Sequence, residues 1–89
     1  MASPTLPFWM LQRQIVAESV NDHTVRLTGP ILPPCEVTVA PRAEGGFRLV
    51  VERCGESGKT LVAEAESTQP AADAAWQAAF EIYRQQIIV

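Results

Sequence analysis

Residues 67–86 read STQPAADAAWQAAFEIYRQQ, and this stretch decides how the rest of the chain can fold. Its apolar residues recur at three- and four-residue spacing, which is typical of a single apolar stripe on an α-helix. The stripe comprises Ala72, Ala75, Trp76, Ala79, Phe80 and Tyr83. Ser67 or Thr68 is predicted to cap the helix, and Pro70 suits its first turn because proline lacks an N–H that would be unpaired there. The sequence therefore predicts an amphipathic helix whose small alanines let a sheet approach closely.

Alternation of apolar and polar residues before this helix predicts half-buried β-strands. The predicted strands are residues 23–28, 36–40, 47–53 and 60–66. Their predicted inward-facing residues are Val25, Leu27, Val37, Val39, Phe47, Leu49, Val51, Leu61, Ala63 and Ala65. Glycine-containing turns at 41–46 and 54–58 join the last three strands, which favours an antiparallel meander. Residues 31–34 are predicted to form an extended connector across the end of the sheet, because residues before proline avoid the helical region.

Residues 8–19, FWMLQRQIVAES, allow two interpretations. Apolar residues recur here at helical spacing, which favours a helix. The residues at this spacing are Phe8, Leu11, Ile15 and Ser19, and Pro7 is well placed to begin the helix. Alternatively, residues 14–20 pair with the following strand across a tight turn at Asn21-Asp22. We expect the helix and keep the hairpin as the alternative.

Together these patterns predict one α+β domain over residues 8–89, preceded by a flexible, proline-rich arm at residues 1–7. The domain is expected to be a small antiparallel sheet of three to four strands packed against the C-terminal helix. The chain has 89 residues, of which 47% are hydrophobic, and this is enough for one packed core.

Charge and hydropathy narrow the range of functions. The formal net charge is −3, and the seven Lys and Arg residues are dispersed along the chain. Nucleic-acid binding by phosphate neutralisation needs clustered positive charge, so this function is disfavoured. The apolar runs are too short to span a bilayer, and no basic residue precedes Arg13 as in a secretory signal. We therefore expect a soluble, cytoplasmic protein.

The two cysteines, Cys35 and Cys54, are expected to be reduced thiols. The predicted inward residues of the second and third strands all carry odd numbers, so paired residue numbers sum to an even value. Cys35 is then in phase with the inward set, and Cys54 lies on the opposite face. With His23 as the single histidine, these residues fall short of the four ligands that a structural zinc site needs. No cofactor or metal is predicted.

No catalytic constellation is predicted either. His23 is interpreted as a turn residue at the start of a strand, because the local sequence offers no serine or cysteine nucleophile for it to activate. Residues 55–60, GESGKT, contain a GKT triplet, but a phosphate-binding P-loop needs four residues between its glycines and a helix after the lysine. Here two residues separate the glycines, and a strand is predicted to follow. The protein is therefore not expected to be an enzyme.

Three glutamates near one end of the predicted sheet form a candidate acidic strip. They are Glu52, Glu64 and Glu66. Strand spacing holds their carboxylates apart, whereas a hard-cation site needs several carboxylates converging in one loop. An ordinary polar face is the simpler interpretation. The functional alternative is that the strip meets a basic partner or imitates a phosphate backbone, as in an inhibitor that occupies a nucleic-acid site.

Both ends of the domain carry apolar residues that a monomer can leave uncovered, and such patches usually mark contacts. The candidate interface residues are Phe8, Trp9, Leu11, Ile87, Ile88 and Val89. We therefore predict a small non-catalytic binding or accessory protein that acts through a protein–protein interface. A homodimer formed through these ends is its simplest version. Nucleic-acid binding through Arg42, Arg48 and Lys59 is the second class considered.

The predicted order of helix, meander and C-terminal helix resembles the double-stranded-RNA-binding domain from Phe8 to Gln86. The aromatic-led strand of that family corresponds to residues 47–51, FRLVV. The resemblance implies lysines at the start of the last helix, and residues 67–73 contain none. The order of strands and helix also resembles small integrase arm-binding domains, whose basic sheet face is likewise missing. Both resemblances concern the fold, and fold alone does not determine function.

Overall fold

In the computed structural model, which describes residues 6–88, the chain forms a five-stranded antiparallel sheet and one long helix. The strands are β1 (Val16–Asn21), β2 (Thr24–Gly29), β3 (Leu32–Pro41), β4 (Phe47–Gly55) and β5 (Gly58–Ser67). Helix α1 (Phe8–Gln12) precedes the sheet, and α2 (Ala72–Tyr83) follows it and continues into the π-helical turn Arg84–Ile88. The strands lie side by side in chain order, so the predicted α+β meander is confirmed. The prediction of three to four strands is wrong, because the sheet has five.

The additional strand, β1, comes from the stretch with two interpretations. Helix α1 ends at Gln12, and Gln14 has a positive φ of 59°, which turns the chain into β1. The prediction of a helix to Ser19 is therefore wrong, and the alternative hairpin is correct. Strand β1 pairs with β2, and the backbone N–H of His23 in the connecting turn donates to Asn21 Oδ1 at 2.8 Å. Burial of Ile15 at 3% exposure anchors the start of this hairpin in the core.

Residues 31–34 do not form a connector. Their backbone is extended as predicted, but Leu32–Pro34 open strand β3, and Leu32 lies opposite Gly29 of β2. The turn at Pro30 and Ile31 is short enough to return the chain directly into the sheet. Two prolines before Cys35 therefore lengthen a strand instead of carrying the chain past the sheet edge.

Helix α2 covers one face of the sheet, where the core lies. Val37 faces Val51, and Leu49 faces Ala65, so the even-sum register predicted for these strands is confirmed. Four residues of the predicted stripe are fully buried against this face. They are Ala75, Ala79, Phe80 and Tyr83. The close contacts of α2 within the sheet are with β3, β4 and β5. Met10 of α1 and Ile15 belong to the same buried core as Val25 and Leu27 of β2.

The start of α2 lies later than predicted. Ser67 is the last residue of β5, opposite Phe47, and the helix begins at Ala72 with Ala71 as its N-cap residue. Neither Ser67 nor Thr68 caps it, because residues 68–71 are needed to turn the chain from the sheet onto its face. Ser67 Oγ instead accepts a hydrogen bond from the Gln69 N–H at 3.2 Å.

A bulge in β5 overturns one predicted core position. Val51 pairs with Ala63, but Glu52 pairs with Leu61, so Val62 is an extra residue in β5. Leu61, predicted to face inward, is consequently 56% exposed, and Val62 packs against the core. A single extra residue reverses the faces of all residues beyond it, and this bulge cannot be read from the alternating pattern alone.

The two cysteines follow the predicted parity. Cys35 is buried in the core opposite Arg53, which places the neighbouring Cys54 on the other face of the sheet. Both are free thiols, and Cys54 is half-buried. Burial raises the pKa of the Cys35 thiol to about 11.

In the part of the chain that the structure describes, no helix is long and apolar enough to cross a membrane.

Candidate functional site

The face of the sheet opposite α2, which we call the open face, carries a row of side chains across all five strands. The register aligns Glu18, Arg26, Glu36, Glu52 and Leu61 in this row. Four of the five are charged, with signs that alternate over the first three strands. The open face is therefore a charged surface, whereas the α2 face is apolar.

Glu36 is the exceptional residue of this row, because it is only 3% exposed although it lies on the open face. Arg26 Nη2 lies 2.9 Å from Glu36 Oε2, and Lys59 Nζ lies 2.8 Å from Glu36 Oε1. The side chains of both cations are about half exposed. The carboxylate is thus covered by its two partners, one from each side, and we call these three residues the ion cluster.

The electrostatics keep the ion cluster fully charged at neutral pH. The hydrogen bond from Lys59 lowers the pKa of Glu36, and with the bond from Arg26 it outweighs the effect of burial. The same hydrogen bonds with Glu36 raise the pKa values of Arg26 and Lys59. A carboxylate whose two oxygens both accept charge-assisted hydrogen bonds is a poor proton acceptor. The ion cluster therefore joins strands β2, β3 and β5 and does not supply a general base.

The candidate acidic strip lies on the same face, and two of its members are paired with arginines. Glu64 forms an ion pair with Arg48, and Glu66 lies 3.4 Å from Arg42. Glu52 lies directly opposite Glu36 on the neighbouring strand. The strip is therefore largely compensated by neighbouring cations.

The basic residues considered for nucleic-acid binding are paired in the same way. Arg42 lies 2.5 Å from Glu44 as well as near Glu66, Arg48 pairs with Glu64, and Lys59 belongs to the ion cluster. Each of these cations thus has a carboxylate beside it, and a phosphate would have to compete with that carboxylate.

The N-terminal candidate interface residues divide between the two sides of α1. Trp9 packs on the core, with its ring stacked on Tyr83 at a centroid distance of 6.4 Å and 5.9 Å from the Arg84 guanidinium carbon. Phe8 and Leu11, in contrast, are 73% and 56% exposed. At the C-terminal end, Ile87 and Ile88 are half-buried against the core, and Val89 lies outside the described residues, as do residues 1–5 of the predicted arm.

Ile31 is an exposed apolar residue that sequence reasoning did not single out. It is 94% exposed in the β2–β3 turn. A pocket of about 350 Å³ lies beside it, lined by residues 12–14 at the end of α1 and just after it, and by residues 30–32. This pocket places Ile31 beside the C-terminal end of α1. The sequence did contain an indication of this exposed residue, because a bulky apolar side chain stands in a turn bounded by prolines. It was not recognised, since residues 31–34 were interpreted as a connector.

His23 and the GKT triplet lie where the sequence predicted. His23 occupies the exposed β1–β2 turn, and residues 56–57 form the turn of the β4–β5 hairpin, so that Lys59 lies at the start of strand β5. Among residues 6–88, no group of three or more His, Cys, Asp or Glu side chains is placed to hold a metal ion.

Comparison of the chain with protein-family models, with curated proteins and with solved structures finds no match.

The buried Tyr83 hydroxyl gives a test of the packing at the end of α2. Tyr83 is fully buried, its hydroxyl has no hydrogen-bond partner among the described residues, and burial raises its pKa to about 12. Since an unpaired buried polar atom costs about 1–3 kcal/mol, we expect Tyr83→Phe to keep or raise the free energy of unfolding, by up to about 1 kcal/mol. Urea denaturation monitored by circular dichroism measures this change. A loss of more than about 1 kcal/mol would show that the hydroxyl has a partner in solution.

Proposed function

We propose that this protein is a small non-catalytic binding protein that acts through a protein–protein interface at its apolar end. We define the apolar end as Phe8, Leu11 and Ile31. The observation that supports the proposal is their exposure, which is 73%, 56% and 94%. Large apolar side chains gathered at one end of a small domain are typical of a contact surface, because exposed apolar area is stabilised when a partner covers it.

The packing of α1 supports this interpretation, because it holds the apolar end in place. Met10 on the inner side of the helix is fully buried, and Trp9 is stacked on Tyr83. Phe8 and Leu11 are three residues apart, so they point to the same side of this anchored turn. A partner that binds them need not first order the helix, and pre-ordering of this kind favours affinity.

The charge distribution favours a protein partner over a nucleic acid. Within residues 8–12 of α1 and at the Pro30–Ile31 turn there is no charged residue, and Arg13 is the one cation in the lining of the adjacent pocket. Nucleic-acid binding depends on several cations that reach phosphates. An apolar surface with a polar rim, here formed by residues 12–14, is instead typical of protein interfaces.

The test compares the wild type with the double variant Phe8→Ser/Ile31→Ser. Affinity capture from the native host, followed by reconstitution with the purified partner, is expected to give a stoichiometric complex that the double variant loses. Leu61→Ser is the matched control, because Leu61 is as exposed as Leu11 but lies on the open face. Equal binding by the wild type and the double variant would refute the proposal.

Light scattering on the same proteins tests self-association through the apolar end. If the partner is a second copy, the wild type will have the mass of a dimer, and the double variant will have that of a monomer. The control Leu61→Ser will keep the wild-type mass. A dimer that survives in the double variant would place its interface elsewhere on the molecule.

A further inference from the structure

The two edges of the sheet, β1 and β5, differ in the residues whose backbone groups point away from the sheet. In an antiparallel sheet, the N–H and C=O groups of successive residues point alternately toward the two neighbouring strands. The Val39 N–H donates to the His23 carbonyl at 2.8 Å, which fixes this alternation for β2 and β3. The backbone groups of Arg26 and Thr28 must then point toward β1, where they face Glu18 and Val16.

It follows that Ala17 and Ser19 direct their N–H and C=O groups outward from β1. They have no backbone hydrogen-bond partner among residues 6–88, since β2 is the single neighbour of β1 in the sheet. Their side chains are small or neutral, and the adjacent Val16 is 62% exposed. An edge strand with unpaired backbone groups and apolar side chains is a template for another strand.

Strand β5 is protected against the same reaction. The same alternation can be followed through β3 and β4 into β5. It shows that in the last part of β5 the backbone N–H and C=O groups of Glu64 and Glu66 point away from the sheet. Pairing of this part with a second β5 would place these glutamates opposite one another or at the bulge at Val62. Charged residues and bulges are the devices by which natural sheets prevent edge pairing. Two members of the acidic strip thus oppose pairing of a second strand with the β5 edge. The β1 edge, in contrast, has a single charged residue, Glu18.

We propose that a second copy of this chain pairs antiparallel with β1, so that two five-stranded sheets form one continuous sheet. The two-fold axis passes through Ala17, which lies opposite Ala17 of the second copy. In this register the two Ala17 residues exchange two backbone hydrogen bonds across the axis, each N–H donating to the other chain's Ala17 carbonyl, and the Ser19 N–H of each chain faces Ile15 of the other. This proposal does not depend on binding at the apolar end, which uses different residues.

Charge selects this register over its neighbour. With the axis at Ala17, Glu18 lies opposite Val16 of the second copy. A shift of the axis to Glu18 would place the two Glu18 carboxylates opposite one another, and like charges in directly opposed positions are destabilising. A shift to Val16 would pair Ala17 with Ile15, whose N–H already donates to the Met10 carbonyl at 3.0 Å. A shift by two residues would bring in Val20, where the pairing of β1 with β2 is already irregular between Ser19 and Asn21.

Two substitutions at Val16 that introduce opposite charges test the register. Val16→Lys places a lysine opposite Glu18 of the second copy, twice by symmetry, whereas Val16→Glu places a glutamate there. We expect the dimer of Val16→Lys to be about tenfold tighter than that of Val16→Glu at low salt, with the ratio falling as salt increases. Because the interface is small, sedimentation equilibrium should extend to protein concentrations of about 1 mM. Val16 is exposed, so neither change should alter folding.

Ala17→Pro tests the hydrogen bonds themselves. Proline removes an N–H that points outward, which an edge strand tolerates, and it eliminates both hydrogen bonds that the two Ala17 residues exchange across the axis. We expect a folded monomer at all concentrations. Glu18→Pro is the matched control, because the Glu18 N–H is needed within the sheet and its loss should unfold β1.

Amide hydrogen exchange by NMR on the wild type gives a readout that needs no substitution. Exchange at Ala17 and Ser19 should slow as protein concentration rises, while that of Glu64 and Glu66 should not. The proposal is overturned if the wild type stays monomeric throughout, or if the Val16 variants dimerise equally. A dimer abolished by Phe8→Ser/Ile31→Ser but not by Ala17→Pro would also overturn it, and would support the apolar end instead.

Discussion

Replacing Phe80 with alanine is expected to lower the free energy of unfolding by about 3–5 kcal/mol, the range for a large aromatic residue in a close-packed core. Phe80 is fully buried on α2, and its ring lies 5.7 Å from that of Trp76. The buried alanines of α2, Ala75 and Ala79, have no side chains long enough to fill the space that the ring vacates. Since small domains have total stabilities of about 5–15 kcal/mol, the variant should be marginally folded. Urea denaturation followed by circular dichroism measures the change.

Phe8→Ala is the matched control, because the same chemical change is made at a side chain that is 73% exposed. Its effect on the free energy of unfolding should stay within about 0.5 kcal/mol, as for most surface substitutions. A loss below about 1 kcal/mol for Phe80→Ala would mean that α2 is not the cover of the sheet.

Periodicity predicted those parts of the fold in which one face is buried and the register is regular. Val37, Leu49 and Val51 alternate without interruption, and a shift by one residue would expose all three, so the pattern fixes both the strands and the buried face. Phe80 and Tyr83 were placed correctly on the buried side of α2 for the corresponding reason, the helical repeat.

Sequence periodicity did not predict the structure where the local apolar spacing favours one element and hydrogen bonding to a neighbouring strand favours another. The residues from Phe8 to Ile15 fit a helix, and the chain uses that helix for five residues before the hairpin begins. The hairpin prevails because β1 gains backbone hydrogen bonds along β2, whereas a short isolated helix is marginal in water. The bulge at Val62 and the strand made from Pro33 and Pro34 likewise depend on neighbouring strands, which no local window contains.

The candidate site was predicted less well than the fold. Glu36 has the parity of a solvent-facing residue, and its burial results from Arg26 and Lys59, which lie 10 and 23 residues away in sequence. The acidic strip was predicted from carboxylates alone, but Glu64 and Glu66 acquire arginine neighbours through the β3–β4–β5 register. Pairing of charges between strands is a property of the assembled sheet, and charge composition cannot show it.

Replacing Glu36 with alanine is expected to lower the free energy of unfolding by about 2–3 kcal/mol at pH 7. The substitution removes two charge-assisted hydrogen bonds, and such bonds contribute about 1.5–3 kcal/mol each when they are buried. The sum is reduced here because Arg26 and Lys59 are half exposed and can be hydrated once the carboxylate is gone. Glu81→Ala is the control, since Glu81 pairs with Arg84 at 2.8 Å on the surface and should contribute less than about 0.5 kcal/mol.

The pH dependence distinguishes an ionic contribution of Glu36 from a packing contribution. The pKa of Glu36 is lowered in the folded protein, chiefly by Lys59, so its stabilisation is present above the ordinary glutamate value, about 4.3. That stabilisation is lost as the pH falls through the lowered pKa and the carboxylate gains a proton. The difference in unfolding free energy between the wild type and Glu36→Ala should therefore be constant from pH 6 to 8 and shrink below about pH 4. A difference that persists unchanged in acid, or one no larger than that of Glu81→Ala at neutral pH, would show that the ion cluster does not stabilise the sheet through its charges.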